Sequence, residues 1–331
     1  MLATADEWGF ATSRLWRYLA VYFLKPMDAV NDTVTALLVR RMGLEEDFIE
    51  LGSGDGLYTF ILGGGRLPLS FDRYQTVDLS LEDIYDNTEY RRPTRAAKVR
   101  TAKVRPQIQV DAKSSHCLRI NDLDPASAPI LAALEHLPID SGCAKRIFFY
   151  TPHGVTDHWR SLQEAVRILH PEGRLILLRF DSATLKEFTC HNLAKATRGA
   201  LGAYLGRLAG ARLEEIAPMA ATLDEWHAHF SALGLYVERE DSGLALGAWN
   251  IYDVQTRPLL KPLIRFFNAL PPQLRLGAKL AWMLLFYPVA LLGLLTLSRL
   301  SSSRPNTCYR VWRLGLAPHA HEHRAHEAGL G

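Results

Sequence analysis

Glu50, Gly52, Ser53, Gly54, Asp55 and Gly56 fall in one stretch, ELGSGDG, directly after the apolar pair Phe48 and Ile49. Glycines at alternate positions remove the Cβ atoms that would keep a ligand off the backbone, and the start of a following helix offers free N–H groups. That chemistry suits a nucleotide-like ligand. The G-x-G-x-G spacing alone is shared by dinucleotide binders and others. The acids narrow it: a pyrophosphate-binding turn avoids negative charge, whereas Glu50 and Asp55 suit a ligand with a cationic amino group and no phosphate. Asp78 ends a second apolar run, YQTVDLS at 74–80, where a carboxylate accepts hydrogen bonds from ribose hydroxyls.

A strand must enter such a turn and a helix must leave it. DFIELG (47–52) reads as a short buried strand and LYTFILGG as a helix that stops at the glycines 63–65. RIFFYTP (146–152) and RLILLRF (174–180) read as further buried strands. Between them DHWRSLQEAVRILHPEG (157–173) reads as a helix ended by Pro171 and Gly173. LYVERED (235–241) and TCYRVWRLG (307–315) read as the last two strands. The strands are mostly apolar runs that alternate with helices, the pattern of a parallel sheet covered on both faces. Upstream, SRLWRYLAVYFL (13–24) mixes aromatic and basic residues and ends at Pro26. DAVNDTVTALLVRRMG (28–43) follows as a helix with Gly43 as its C-terminal cap. Residues 181–220 read as helical with several glycines, and TLDEWHAHFSALG (222–234) as a helix with Thr222 and Glu225 at capping-box spacing.

With 331 residues, 48% of them hydrophobic, the chain can bury one large core or two modest ones. A net charge of +3 does not call for a nucleic-acid partner. Cys117, Cys143, Cys190 and Cys308 form no C-x-x-C pair, which argues against a disulfide framework or a zinc site and for a reducing compartment. Asp6 and Glu7 precede any apolar run, so the N-terminus lacks a signal-peptide pattern. Residues 91–105 hold seven basic residues and no acid. They could grip phosphates of an anionic bilayer, a lipid-linked pyrophosphate or RNA, or simply face solvent; little aromatic interleaving argues against base stacking. His319, His321, His323 and His326 have a metal-capable spacing in a Gly/Ala-rich tail and are assigned no function.

ELGSGDG followed by VDLS resembles the first two motifs of class I S-adenosylmethionine-dependent methyltransferases. EHLPIDS (135–141) resembles the family's acidic loop beside the adenine, and SLQEAVRILHPEGRLILL (161–178) is similar to its helix-and-strand signature. The similarity runs in order through residues 45–181. It departs at Ala133, where the family has an acid, at Ala144–Lys145, at Glu172 where a glycine is usual, and in the long spacing from Gly56 to Asp78. The resemblance implies a Rossmann-like α/β fold with a mostly parallel seven-stranded sheet, helices on both faces and S-adenosyl-L-methionine as cofactor. It implies that Glu50, Gly52, Ser53, Gly54, Asp55, Gly56, Asp78, Glu135, His136, Leu137 and Tyr150 bind that cofactor. It also places the acceptor near YTPHGVTDHW, the loop after the fourth strand. His153 is there a candidate base, with a polar lid residue as the alternative.

LAWMLLFYPVALLGLLTL (280–297) carries no charge and is about long enough to cross a bilayer as a helix. If the flanking strands pair in one sheet, a single crossing is excluded and the chain must return. Two short helices around Pro288, or pairing with LLKPLIRFFNAL (259–270), would dock it in one leaflet. Segment 13–24 suits either a membrane interface or a lid over the cofactor. The chain thus divides into lid or interfacial helices (1–44), a catalytic core (45–257) with a helical insertion around 182–220, an apolar docking insertion (258–304), a last core strand (305–316) and a disordered histidine-rich tail (317–331). The expected activity is O-methylation of a lipid, lipid-linked saccharide or other hydrophobic small molecule at the cytoplasmic face of a membrane. A soluble methyltransferase of RNA or protein, or a catalytically silent scaffold, are the alternatives. Nucleic acid is not expected as a partner, and a homo-oligomer is compatible with the sequence.

Overall fold

Thr4 opens the first helix by accepting a hydrogen bond from the Glu7 N–H (3.2 Å), so the N-terminal layer starts with a side-chain cap. The computed structural model describes residues 4–44, 48–52, 61–63, 69–72, 130–150, 157–181, 189–216, 220–245, 260–300 and 307–317. Helices α1 (Ala5–Val21) and α2 (Pro26–Arg41) form a hairpin fastened by Arg41 to Glu7 (2.8 and 3.1 Å) and Arg40 to Asp6 (2.6 Å). Gly43 sits just past α2 at φ +80°, the left-handed cap expected there.

Among the described residues eight strands follow: β1 (Ile49–Leu51), β2 (Leu69–Asp72), β3 (Ile130–Leu131), β4 (Ala144–Phe149), β5 (Leu169–Asp181), β6 (Ala220–Ala221), β7 (Leu235–Ala245) and β8 (Thr307–Leu316). The main path of the sheet is β3-β2-β1-β4-β5-β8-β7, seven strands as expected, with the two-residue β6 paired beside β5. Neighbours from β3 to β5 are parallel, and β8 runs antiparallel between β5 and β7. The remaining helices among the described residues are α3 (His158–Ile168), α4 (Thr189–Ala196), α5 (Gly199–Ile216), α6 (Leu223–Ala232), α7 (Leu260–Ala269) and α8 (Pro272–Leu300). The Thr222–Glu225 capping box of α6 is formed.

Side chains alternate across β5 and split the core in two. Ile176 and Leu178 face the layer made by α1, α2 and α8, whereas Leu175 and Leu177 face α3 and α6. The second face is rich in aromatics: Trp312 lies 5.9 Å from Trp226 and 5.3 Å from Phe230, ring centre to ring centre.

Three expectations need correction. The strand paired with β1 is Leu69–Asp72, in register Ile49 to Leu69, and not the run at 74–80. The helix before β5 ends at Ile168 instead of Pro171, because Leu169 already pairs with Ala144 of β4. The apolar segment is one continuous 29-residue helix and not two helices around Pro288. Its inward residues Lys279 and Met283 before the proline, and Ala290 and Leu294 after it, are all buried, so both halves pack on the protein. The expected antiparallel pairing of the last two strands is present. Ala245 at the end of β7 sits opposite Thr307 at the start of β8, so the chain returns to the point it left.

Candidate functional site

The sheet order fixes where a ligand can enter. From β1 the chain moves outward through β2 and β3, then returns to build β4 on the opposite side of β1. Open α/β sheets bind ligands in the crevice at the carboxyl ends of the strands flanking such a reversal. Here that crevice lies between the ends of β1 and β4, where Glu50 and Phe149 stand.

Glu50 is the middle residue of β1, opposite Phe148 of β4 and Ser70 of β2, and is 1% exposed. Gly52 follows at φ +81°, a conformation that costs an ordinary L-residue about 1–2 kcal/mol. Ser53, Gly54, Asp55, Gly56, Asp78 and His153 lie outside the described residues. Because β2 ends at Asp72, the acid at the end of the second strand is Asp72 and not Asp78, six residues later. Gly56 to Asp72 is also a shorter path, which removes the unusually long spacing in the sequence.

Tyr150 directly follows β4, and its ring lies 5.8 Å from that of Phe148. Above it, α1 brings in Tyr18, which is fully buried. Burial pushes the Tyr18 hydroxyl well above the usual tyrosine range. Asp32 of α2, Tyr150 and Glu50 push it the same way, while Arg14 opposes them. Tyr18, Asp32, Glu50 and Tyr150 thus belong to one electrostatic neighbourhood. Arg14 ties α1 to the segment after the glycine turn by donating from Nε and Nη2 to the Leu62 carbonyl, both at 3.3 Å. Segment 13–24 therefore packs against this part of the core.

Tyr18 and Asp32 were not singled out from sequence. The signal was there for Asp32: Asp28, Asn31, Asp32 and Thr35 recur at helical spacing along α2 and are all buried. Asn31 Nδ2 donates to Asp32 Oδ1 (3.4 Å), and Asp28 pairs with Lys25. Polar residues buried in a row need partners, so such a row on a helix is a feature the sequence offers for inspection.

The turn after β3 lies at the same edge of the sheet. Leu137 is buried; its N–H donates to Glu164 of α3 (2.8 Å) and its carbonyl accepts from Arg167 (2.8 Å). Arg167 also donates to the Ile139 carbonyl (2.8 Å), so one side chain of α3 holds the whole turn. Glu135 is half-buried and accepts from the Asp157 N–H (3.4 Å), while His136 is exposed. Asp157 caps α3 by accepting from the Arg160 N–H (2.9 Å), a structural role. The structure thus gathers Glu50 and Tyr150 with Tyr18 and Asp32, and places Glu135, His136 and Leu137 on a neighbouring turn.

The departures from the resemblance sort by position. Lys145 is exposed at the amino end of β4, away from the crevice. Gly173 is retained: a Cβ there would lie 2.8 Å from the carbonyls of Ala144 and His170. Glu172 beside it is exposed, so only the glycine demanded by backbone packing is kept.

Arg179 of β5 was read simply as part of an apolar strand, yet it is a fully buried cation at this edge. Its Nη1 donates to the carbonyls of Phe149 (3.2 Å), Tyr150 (3.4 Å) and Leu178 (2.7 Å). Its guanidinium carbon lies 4.2 Å from the centre of the Phe149 ring. Burial pushes its pKa down to about 9. Arg179 thereby fastens the end of β4, from which the candidate acceptor loop departs. Among the described residues no group of His, Cys, Asp and Glu is placed to hold a metal ion.

No family model and no curated protein matches the sequence. Solved structures with a similar trace include the YcgJ protein from Bacillus subtilis (11% identity, 85% of this chain and 96% of that one, TM-score 0.38). A SAM-dependent methyltransferase from Thermotoga maritima is similar over 72% of this chain and 85% of its own, at 13% identity and TM-score 0.39. Geranyl diphosphate C-methyltransferase from Streptomyces coelicolor is similar over 88% and 84%, at 9% identity and TM-score 0.37. All three scores are under 0.5, so the weight rests on the chain's own topology. Parallel strands on both sides of the reversal at β1, a last strand inserted antiparallel and a left-handed glycine after an acid-bearing β1 make this a Rossmann-like fold of the kind the resemblance to class I methyltransferases implies.

Proposed function

We propose that the chain is an S-adenosylmethionine-dependent methyltransferase that works docked on a membrane surface and methylates an oxygen of a lipid, a lipid-linked saccharide or another hydrophobic small molecule. The observation that carries this reading is one sheet holding both features: a buried acid followed by a left-handed glycine at its reversal point and, between its last two strands, a helix with an apolar outer face.

The residues fit such a cofactor. Glu50, just before the glycine run, and Asp32 of α2 are buried carboxylates, and buried anions favour a cationic partner over a phosphate. When bound, the cofactor supplies a methyl group activated on a sulfonium centre. Glu50 and Asp32 would hold the amino end, Gly52 and the glycines after it would let the backbone approach, and Asp72 is the ribose candidate. Glu135, His136 and Leu137 would border the adenine. Tyr150 and Tyr18 close the crevice against water. Catalysis then consists mainly of aligning the acceptor oxygen in line with the methyl group, with His153 as the candidate that takes its proton.

The outer face of α8 supports docking. Leu274, Leu276, Leu280, Leu284, Leu285, Val289 and Leu292 are exposed along it, and Phe266 is exposed on α7. The opposite face packs on the protein: Tyr287 meets Trp16 of α1 at 5.4 Å, and Phe267 of α7 meets Phe23 at 5.0 Å. A helix clad by protein on one side cannot be ringed by lipid, so it is read as lying in the interface rather than crossing it.

Titration calorimetry of the detergent-purified protein with S-adenosylhomocysteine tests the catalytic half. Micromolar binding is expected, and Gly54→Leu should abolish it. Unchanged affinity in that variant would move the pocket elsewhere. No binding by folded wild-type protein would leave a silent scaffold as the better reading.

A further inference from the structure

The apolar face of α7 and α8 is embedded in a segment with unusual charge. Between Asp253 and Glu322 the chain has no acidic residue. The insertion 258–304 holds Lys261, Arg265, Arg275, Lys279, Arg299 and Arg304, six of the chain's 38 Lys and Arg and none of its 35 Asp and Glu. The rest of the chain is therefore net acidic, and its overall +3 arises from this insertion. A hydrophobic helix needs no such bias in order to fold.

Two of the six cations serve the fold. Lys279 is buried, 5.3 Å above the Phe23 ring, and Arg275 donates to the carbonyls of Leu270 (2.9 Å) and Asn268 (3.1 Å). Arg265 is different: it is exposed, next to the exposed Phe266. Lys261 stands four residues before it in the sequence. An aromatic ring and a cation side by side at the end of an apolar helix make an interfacial anchor, the ring at headgroup depth and the charge on headgroup phosphates.

Resting on the reading that this face docks on a bilayer, we infer that α7 and α8 together select an anionic lipid surface. Apolar contact from α8 supplies depth, and the acid-free cationic segment supplies attraction and orientation. The same charge argues against a second copy as the occupant, because two such faces would bring like-charged insertions together across the contact.

The test is vesicle flotation of full-length protein against pure phosphatidylcholine and against phosphatidylcholine with one-third phosphatidylglycerol. Partition onto the anionic vesicles should be at least about tenfold greater and should fall as salt is raised. The double variant Lys261→Ser with Arg265→Ser should lose about fivefold per charge removed, with unchanged circular dichroism and unchanged affinity for S-adenosylhomocysteine. Equal binding to both vesicles would overturn lipid selection and leave docking standing. Binding to neither would overturn docking as well, and a dimer by light scattering would then assign the face to a second copy. Cofactor affinity reads the methyltransferase assignment separately in every case.

Discussion

Helices α3 and α8 both press one side into the protein, and their other sides could hardly differ more. In α3, Leu162, Ala165, Val166 and Ile168 point inward, while Arg160 and Gln163 are exposed and Glu164 and Arg167 are partly so. In α8, Lys279, Met283, Ala290 and Leu294 point inward, while Leu284, Leu285, Val289 and Leu292 are about 60% exposed or more. A helix whose only task is to close a core meets water on its far side and carries polar residues there. The outer side of α8 is composed for something other than water, and an exposed apolar strip of that length marks a surface that acts.

The largest expected effect breaks the inner side of α3. Leu162→Asp would place an unpaired carboxylate among buried residues of the second core cluster, at a cost of at least ~4 kcal/mol, and the protein should fail to fold. A urea midpoint near wild type would mean that the inner face of α3 is less dry than its packing indicates. The matched change on α8 is Leu285→Asp with Leu292→Asp. Both leucines are more than 60% exposed, so stability should shift by less than ~1 kcal/mol. Vesicle affinity should fall by roughly two orders of magnitude, from the transfer cost of two leucines. Continued flotation of the folded double variant would remove α8 from the docking surface.

Much of this contrast was legible in the sequence, and the reasons are local. The period-two and apolar-run patterns located β4, β5, β7 and β8, and the Thr222–Glu225 spacing located α6. The second strand was misplaced because LSFD is short and YQTVDLS is the more strand-like run; pairing with Ile49–Leu51 decides, and pairing is not written in either segment. The two-residue strands β3 and β6 have no pattern to read. In the crevice, Glu50 and Gly52 were legible because their residue types are unusual at a strand end. Tyr18 and Asp32 were not, because they sit in helices and reach the crevice only through the packing of α1 and α2 on the sheet. The lone break at Pro288 misled for the same reason: proline removes one helical hydrogen bond, but with buried side chains on both sides of it α8 continues through.

A middle-sized effect sharpens what the polar outer side of α3 is for. Arg167 binds the carbonyls of Leu137 and Ile139 and the Ser141 hydroxyl (3.1 Å), and pairs with Glu164 (2.9 Å). Arg167→Met keeps the stem and removes the fork. It should cost about 2 kcal/mol in chemical denaturation, the scale of charged hydrogen bonds lost to carbonyls. It should also weaken S-adenosylhomocysteine binding several-fold, since the turn 135–141 loses its clamp. Unchanged affinity would separate that turn from the cofactor.

The smallest effect asks whether polar clamps beside the insertion stabilise the sheet that carries it. Glu238 of β7 reaches across two strands: its Oε2 lies 2.7 Å from Arg313 of β8, and its Oε1 lies 2.6 Å from Arg174 of β5 and 2.9 Å from the Tyr236 hydroxyl. Gly315 makes the room, since a Cβ there would lie 2.9 Å from the same Oε1. Burial alone would push the Glu238 carboxyl up, but hydrogen bonds from Tyr236, Arg313 and Arg174 together hold it below the usual glutamate range. A carboxyl lowered by folding stabilises the native state above its unfolded value, near 4.5, and loses that contribution as pH falls through the lowered folded value. Glu238→Gln should therefore be less stable than wild type at neutral pH by about 0.5–1 kcal/mol, a modest amount because the groups are partly solvated. The gap should narrow as pH drops below 4.5 and close once Glu238 is protonated in both states. A constant gap across that range would assign the loss to packing around Gly315 instead of to charge, and the insertion would then be held to the sheet by its apolar side alone.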